Sequence, residues 1–217
     1  LNFFIGMKII VAERCQVSGL VLAGGRGRRM GHVDKGLLDF KGNQLAFHAA
    51  QRLRPQVDQI MINANQNLDR YRAFGMPVCA DMMSGFQGPL AGLQTGLMLC
   101  TTPYLVTVPC DSPFFPDNFV AQLATQLLAQ SAEIAMVVTG TGAATQLHPV
   151  FSLLSRTILP QLSNYLMLGG RKMTDWFATC KVTSVHFADD QAFRNINTPD
   201  DLERYGSDMA DKINAVG

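Results

Sequence analysis

VSGLVLAGGRGRRMGHVDKGLLD, residues Val17 to Asp39, joins an apolar run to a glycine-rich, cationic loop. Val17 to Ala23 is an apolar run broken only by Ser18, as expected of a parallel strand covered on both faces. It stops at Gly24-Gly25-Arg26-Gly27, and Arg28, Arg29, Gly31 and Lys35 follow closely. Glycines at the carboxyl end of a strand let the backbone approach a ligand and adopt positive φ. Successive amide hydrogens in such a turn converge on an anion, and arginine and lysine add full charge. The stretch therefore reads as strand, bare turn and cationic loop, suited to a polyphosphate.

Two better-known phosphate loops do not fit. A dinucleotide fingerprint needs glycine at the first, third and sixth places of the turn. Gly25 and Gly27 fill two of these, but Met30 stands at the third. A P-loop ends in Gly-Lys-Ser/Thr, which does not occur here.

The chain has 217 residues, which leans towards one domain, and its 47% hydrophobic and 16% charged composition supports a sizeable core. A net charge of +1, with basic residues gathered near the glycine turn, argues against a nucleic-acid or membrane surface. Cys15, Cys79, Cys100, Cys110 and Cys180 form no CxxC pair, so free thiols in a reducing cytoplasm are expected. Residues 1–15 lack the ordered parts of a secretory signal and are too short to cross a bilayer. They are read as an extension before a domain at 16–206, with 207–217 a polar tail.

Downstream, strand-like and helix-like stretches alternate, which indicates a parallel sheet with right-handed crossovers. A helix is expected at Leu45 to Leu53, a strand at Val57 to Ala64, a short helix at Asn67 to Phe74 and a strand at Met76 to Ala80, finishing at Asp81. Gly88-Pro89-Leu90-Ala91-Gly92 opens a helix, with proline in its first turn and the Gly88 amide free to face an anion. Tyr104 to Val108 is the most strand-like central run and delivers Asp111 at its carboxyl end, where open parallel sheets place ligand groups. An aspartate opposite a triphosphate suits Mg2+, which takes one or two carboxylates and completes its shell with phosphate and water; alone it reads equally as a turn or helix cap.

Pro116 opens a helix to about Gln130, with Val120, Leu123, Leu127 and Leu128 on its buried side. Glu133 to Thr139 is a strand, and Leu147 to Phe151 returns beside it antiparallel, at an edge. His148 is open to a structural or a substrate-contacting reading. Ser155 to Leu168 is helical apart from Pro160, then Gly169-Gly170-Arg171-Lys172 forms a second cationic turn, followed by a helix at Met173 to Thr179 and a strand at Val182 to Phe187. Thr198, Pro199 and Asp201 form a capped helix start, which leaves Asn195 and Asn197 pointing to one face of an extended segment.

The first stretch resembles the LAGGxGxRMGxxDK signature of the molybdenum cofactor guanylyltransferases. Leu22, Ala23, Gly24, Gly25, Gly27, Arg29, Met30, Gly31, Asp34 and Lys35 all occupy signature positions. Asn63, Asp81, GPLAG at Gly88 to Gly92, CDSP at Cys110 to Pro113 and NINTPDDL at Asn195 to Leu202 follow in the family's order, so the resemblance spans about residues 17–205. It implies a single three-layer α/β/α domain whose Rossmann-like nucleotidyltransferase sheet is mostly parallel with an antiparallel edge. It also implies transfer of GMP from GTP to molybdopterin, releasing pyrophosphate. By that analogy Leu22, Ala23, Gly24 and Gly25 hold the nucleotide through backbone, and Lys35 contacts phosphate. Asn63 and Asp81 fix guanine and ribose, Asp111 binds Mg2+, and Arg29 neutralises charge on the transferring phosphate. Gly88, Arg171, Asn195 and Asn197 fall at the molybdopterin side. The implied partners are GTP, molybdopterin and, transiently, molybdenum-insertion and molybdoenzyme-maturation proteins. His32 stands where the guanylyl enzymes often carry another glycine, which bears on the fit of the loop to the pterin.

The sister cytidylyltransferases begin LAAG and lack the Asp-Lys-Gly of Asp34 to Gly36. A sugar-phosphate or isoprenoid-precursor nucleotidyltransferase explains NINTPDDL poorly. A non-catalytic nucleotide-binding regulator would not be expected to keep both Lys35 and Asp111, and a nicotinamide oxidoreductase lacks its fingerprint.

Overall fold

In the computed structural model, which describes residues 16–23, 34–83, 88–198 and 200–205, the opening apolar run forms strand β1, Val17–Leu22, and all of it is buried. A small hairpin, β2 (Asp39–Phe40) and β3 (Asn43–Gln44), turns through Lys41 and Gly42 at φ 54° and 82°. Helix α1, Leu45–Leu53, follows, then a 3-10 turn carrying Pro55. Strand β4 (Gln59–Asn63), helix α2 (Leu68–Arg72), strand β5 (Val78–Cys79), helix α3 (Pro89–Leu99) and strand β6 (Tyr104–Pro109) complete the first half. The second half comprises α4 (Phe119–Ala129), β7 (Ile134–Thr139), β8 (Gln146–Ser155), α5 (Leu159–Met167), α6 (Met173–Phe177), β9 (Val182–Phe187) and helical residues 200–205.

Seven strands form one sheet in the order β5-β4-β1-β6-β8-β7-β9. The β1–β4, β1–β6, β4–β5 and β7–β9 pairs are parallel, while β8 runs antiparallel to both β6 and β7. The antiparallel partner expected beside Glu133 to Thr139 is present, but it lies inside the sheet instead of at an edge. The reason is that β9 covers the outer side of β7 while β8 occupies the free side of β6.

Alternation along the strands divides the core into two layers. Val17, Val21, Ile62, Val106, Val108, Ala135 and Val137 face α1 and α4, packing on Ala46, Ala49, Leu53, Phe119, Leu123 and Leu127. Leu20, Leu22, Met61, Leu105, Ile134, Met136 and Val138 face α3, α5 and α6, packing on Leu90, Leu93, Leu97, Leu162, Leu166, Trp176 and Phe177. A strand whose odd and even residues both enter a core must be mostly apolar, as β1 is, its one polar side chain, Ser18, being satisfied by the Thr102 hydroxyl at 2.9 Å. The result is the three-layer α/β/α domain. Among the described residues no helix is long and apolar enough to cross a membrane.

Three local expectations shift. Leu128 is 51% exposed, because Val120, Leu123 and Leu127 already define the buried stripe of α4 and the next residue turns off it. That helix begins at Phe119 instead of Pro116, whose carbonyl accepts the Phe119 N–H. The helix expected over Ser155 to Leu168 is shorter: Ser155 ends β8, Arg156–Ile158 is a 3-10 turn, and α5 starts at Leu159 with Pro160 in its first turn, where its missing N–H costs nothing.

Strand order places the site. From β1 the chain moves outward through β4 to β5, then returns through α3 to β6 on the other side of β1. That reversal leaves a crevice at the carboxyl ends of the central strands. Helix α3 is held against it by Gly92, where a Cβ would fall 2.3 Å from Asn63 Oδ1 and 2.8 Å from Leu22 Cδ2. Gly92→Ala is accordingly expected to lose about 1–3 kcal/mol of stability by overpacking and to displace Asn63, read by denaturant unfolding. A variant as stable as the parent would show that α3 has slack there.

Candidate active site

Four residues stand abreast at the carboxyl rim. Cys79 is paired with Asn63, Asn63 with Leu22, and Leu22 with Pro109. The ladder continues one residue beyond, where Ala23 N donates to Asn63 O at 2.8 Å and Cys110 N to Leu22 O at 3.1 Å. Parallel register therefore brings Leu22, Ala23, Asn63, Asp81 and Asp111, distant in sequence, to one side of the sheet. Gly24, Gly25 and Arg29 lie outside the described residues.

On the β4–β5 side, Asn63 Nδ2 donates to Asp81 Oδ1 at 2.9 Å and Asn65 Nδ2 to Asp81 Oδ2 at 2.8 Å. The Asp81 N–H returns a bond to Asn65 Oδ1 at 2.8 Å. Both carboxylate oxygens are thus oriented by amides before any ligand arrives. Asn65 was not among the residues expected at the site. Its signal was the Asn-Ala-Asn spacing at a strand exit, which turns alternate side chains to one side.

On the β1–β6 side, a single 3-10 turn, Lys35–Leu37, follows Asp34. Lys35 Nζ lies 3.5 Å from Asp111 Oδ2 and donates to Asn197 Oδ1 at 2.5 Å. The Asp111 carbonyl accepts the Ile196 N–H at 2.8 Å, and Ser112 Oγ donates to Asn195 Oδ1 at 2.7 Å. Asn195 and the Ile196 N–H thus clasp the end of β6, while Asn197 reaches Lys35. Their segment is closed by a reciprocal cap: Thr198 N–H donates to Asp201 Oδ2 at 2.9 Å and Asp201 N–H to Thr198 Oγ1 at 3.1 Å.

Asp111 is only 8% exposed; burial pushes its carboxyl up from the ordinary value, and the Lys35 ammonium acts in the opposite direction. Burial, reinforced by Asp111 and Asp34, raises the Cys110 thiol well above its usual range. It is therefore an inert thiol instead of a nucleophile. Cys79, Cys100, Cys110 and Cys180 are all free; Cys15 lies outside the described residues.

Asn195 and Asn197 also line a cleft of about 550 Å³ shared with Pro109, His148, Phe193 and Tyr205. A bulge after Met136 shifts the pairing from Met136–Ser152 to Val137–His148. It brings the His148 ring to 5.6 Å from that of Phe193 and its Nε2 to 2.9 Å from Thr139 Oγ1. Burial lowers the His148 pKa, against an upward pull from Asp190. Gly88 and Arg171 meet elsewhere along the rim. Gly88 is the N-cap of α3 at φ 76°, and a Cβ there would lie 4.0 Å from the Arg171 carbonyl. The Arg171 guanidinium donates to Leu166 O at 3.0 Å and Gly170 O at 2.6 Å, capping the end of α5.

No group of three or more His, Cys, Asp and Glu able to cage a metal occurs among the described residues. The half-clasped Asp111 carboxylate instead suits a cation that arrives with a polyphosphate and takes one protein oxygen. The site thus has a carboxylate oriented by amides at one end, a lysine–carboxylate pair in the middle and a polar cleft beyond.

Residues 19–184 match the family model described as MobA-like NTP transferase domain. A molybdenum cofactor guanylyltransferase from Cupriavidus taiwanensis is 49% identical over 193 residues, covering 88% of this chain and 97% of that protein. One from Bordetella petrii is 47% identical over 192 residues, covering 88% and 98%. The crystal structure of molybdopterin-guanine dinucleotide biosynthesis protein A from Archaeoglobus fulgidus superposes with a TM-score of 0.70 at 20% identity, over 90% of this chain and 99% of that one. With a matching domain model and relatives of this identity along almost their whole length, the chain belongs to the molybdenum cofactor guanylyltransferase family of MobA-like nucleotidyltransferases.

Proposed function

We propose that this protein transfers GMP from GTP to the terminal phosphate of molybdopterin, forming the guanine dinucleotide and releasing pyrophosphate. The observation that carries the reading is the placement of Lys35 and Asp111 between the amide-held Asp81 and the cleft lined by Asn195 and Asn197. A phosphate oxygen of molybdopterin attacks the α-phosphorus of GTP; a new P–O bond forms, the bond from that phosphorus to the α–β bridging oxygen breaks, and pyrophosphate leaves with the electron pair. Because a phosphomonoester is already anionic at neutral pH, the nucleophile needs little help from a base. Positioning and charge stabilisation are what the protein must supply.

In this reading Asn63 and Asp81 take the nucleoside, the amides of Asn63 and Asn65 holding the Asp81 carboxylate in one orientation. Leu22 and Ala23, with Gly24 and Gly25, offer backbone, and Arg29 is assigned to the transferring phosphate. Lys35 leaves its contacts with Asp111 and Asn197 for the phosphates. Asp111 would hold Mg2+, which when bound neutralises phosphate charge. Asn195, Asn197, Gly88 and the Arg171 segment receive molybdopterin. The same reading entails action in the cytoplasm and transient contact with proteins that insert molybdenum or mature molybdoenzymes.

The test is pyrophosphate release with molybdopterin and Mg2+, supplied in turn with GTP, CTP and ATP. Release with GTP alone is expected. Release with CTP alone assigns the chain to cytidylyl transfer, and GTP binding without turnover on active molybdopterin makes it a regulator; either result overturns the proposal.

A further inference from the structure

Asp34 precedes the lysine, and its carboxylate points away from the crevice, back into the fold. There it meets Tyr71 of α2, whose hydroxyl donates to Asp34 Oδ1 at 2.6 Å. Asn67, at the left-handed φ of 51° that begins α2, donates to Oδ2 at 3.0 Å. The two bonds are unequal. Asn67 is exposed and exchanges its bond with water at little net cost, whereas Tyr71 is wholly buried and has no solvent to replace the carboxylate. Burial also raises the phenol's pKa, so it remains protonated and donates.

The same hydroxyl touches the turn a second time. A Cβ on Gly36 would fall 2.4 Å from Tyr71 Oη, so the phenol lies directly against bare backbone on the far side of Lys35. Residues 34 and 36 are both braced by one atom, and Lys35 is the residue between them. The brace comes from the β4–β5 connection, which also carries Asn65, whose amide holds Asp81. The lysine's stem is therefore referenced to the nucleoside end of the crevice.

We propose that the Tyr71 hydroxyl, acting through the Asp34 carboxylate and the backbone of Gly36, is the positioning group that aims Lys35 at the nucleotide's phosphates. This rests on the reading of Lys35 as a phosphate ligand. Tyr71 is not itself a catalytic residue, since it faces the core. Its ring packs edge-on against Phe74 at 5.7 Å, a contact that Tyr71→Phe retains.

Calorimetry with GTP and with guanosine on the full chain separates aiming from general stability. Tyr71→Phe is expected to weaken GTP about ten-fold, the scale of a buried hydrogen bond to a charged group, while leaving guanosine unchanged. In a Lys35→Ala background the same substitution should cost GTP nothing further, because its effect runs through the missing side chain. Equal loss for both ligands, full additivity with Lys35→Ala, or no loss at all overturns the proposal. Should Tyr71→Phe fail to fold, Asp34→Asn removes the charged acceptor while keeping its shape, and is expected to show the same signature. Wild-type protein that does not bind GTP overturns the guanylyltransferase reading first, so the two failures are told apart.

Discussion

Asp111→Asn is expected to reduce guanylyl transfer by about 10²- to 10³-fold, the scale seen when one preorganised electrostatic contact to a reacting centre is removed. The thermal midpoint should not fall. The Asp111 carboxyl is buried and pushed upward by desolvation, so a neutral amide of the same shape relieves a cost. The backbone bond from Ile196 N–H to the residue-111 carbonyl remains. Lys35 loses one partner but keeps Asn197 and is partly exposed, so it is not left buried and unpaired. Pyrophosphate release and thermal unfolding on the same preparation provide the check. A variant retaining more than about a tenth of wild-type turnover would remove Asp111 from the reaction centre, and one that loses both activity and stability would make it a structural residue.

Phe193→Ala is expected to cost about 3–5 kcal/mol, the range for emptying a fully packed phenylalanine site. Phe193 lies within ring-contact distance of Phe119, His148, Phe151 and Phe187, with centroids at 6.2, 5.6, 5.0 and 4.9 Å. The cavity would therefore open between α4, β8 and β9 at once, and several rings would lose a neighbour. For a chain of this size that corresponds to a midpoint lower by roughly 10 °C. The loss should reach function as well, because Phe193 anchors the segment that extends to Asn195 and Asn197. A higher KM for molybdopterin with little change for GTP is the kinetic signature expected below the new midpoint. A drop under about 1 kcal/mol would mean the aromatic cluster collapses around the gap.

Much of this molecule can be read from its residues, for identifiable reasons. The Val17 to Ala23 run announces a doubly covered strand because burial on two faces leaves no room for polar alternation, and β1 is that strand. Asp81 and Asp111 are recognisable because each directly follows a strand, and parallel register carries every such exit to one rim. The capping role of Thr198 and Asp201 is local, and local chemistry is what spacing encodes.

Strand order is less visible. Nothing within Gln146 to Ser155 says that β8 will lie between β6 and β7, since that depends on β9 arriving later to cover the far side of β7. Tyr71 and Asp34 are harder still. A tyrosine on a five-residue helix reads as core, and the carboxylate that its hydroxyl meets lies 37 residues earlier. Asn65 was hidden by its company, a polar residue in a polar loop, until Asp81 came beside it. Leu128 misleads in the opposite direction: a leucine next to the buried Leu127 reads as core, but its position on the helix turns it to solvent.

The reversed strand β8 also imposes an order on assembly. β1, β4, β5 and β6 satisfy one another's ladders using residues up to 109, whereas β7 has no route into the sheet until Gln146–Ser155 has folded back against β6. β9 joins only through β7, and the segment bearing Asn195 and Asn197 follows it. Pairings that span more chain close later, since their loop entropy must be met first. On a ribosome, the half that carries Asn63, Asp81 and Lys35 can pair its strands while the clasp on Lys35 has yet to be synthesised. The rim that carries Asn63 and Asp81 is thus the part that can close first, and the segment bearing Asn195 and Asn197 is the last to attach.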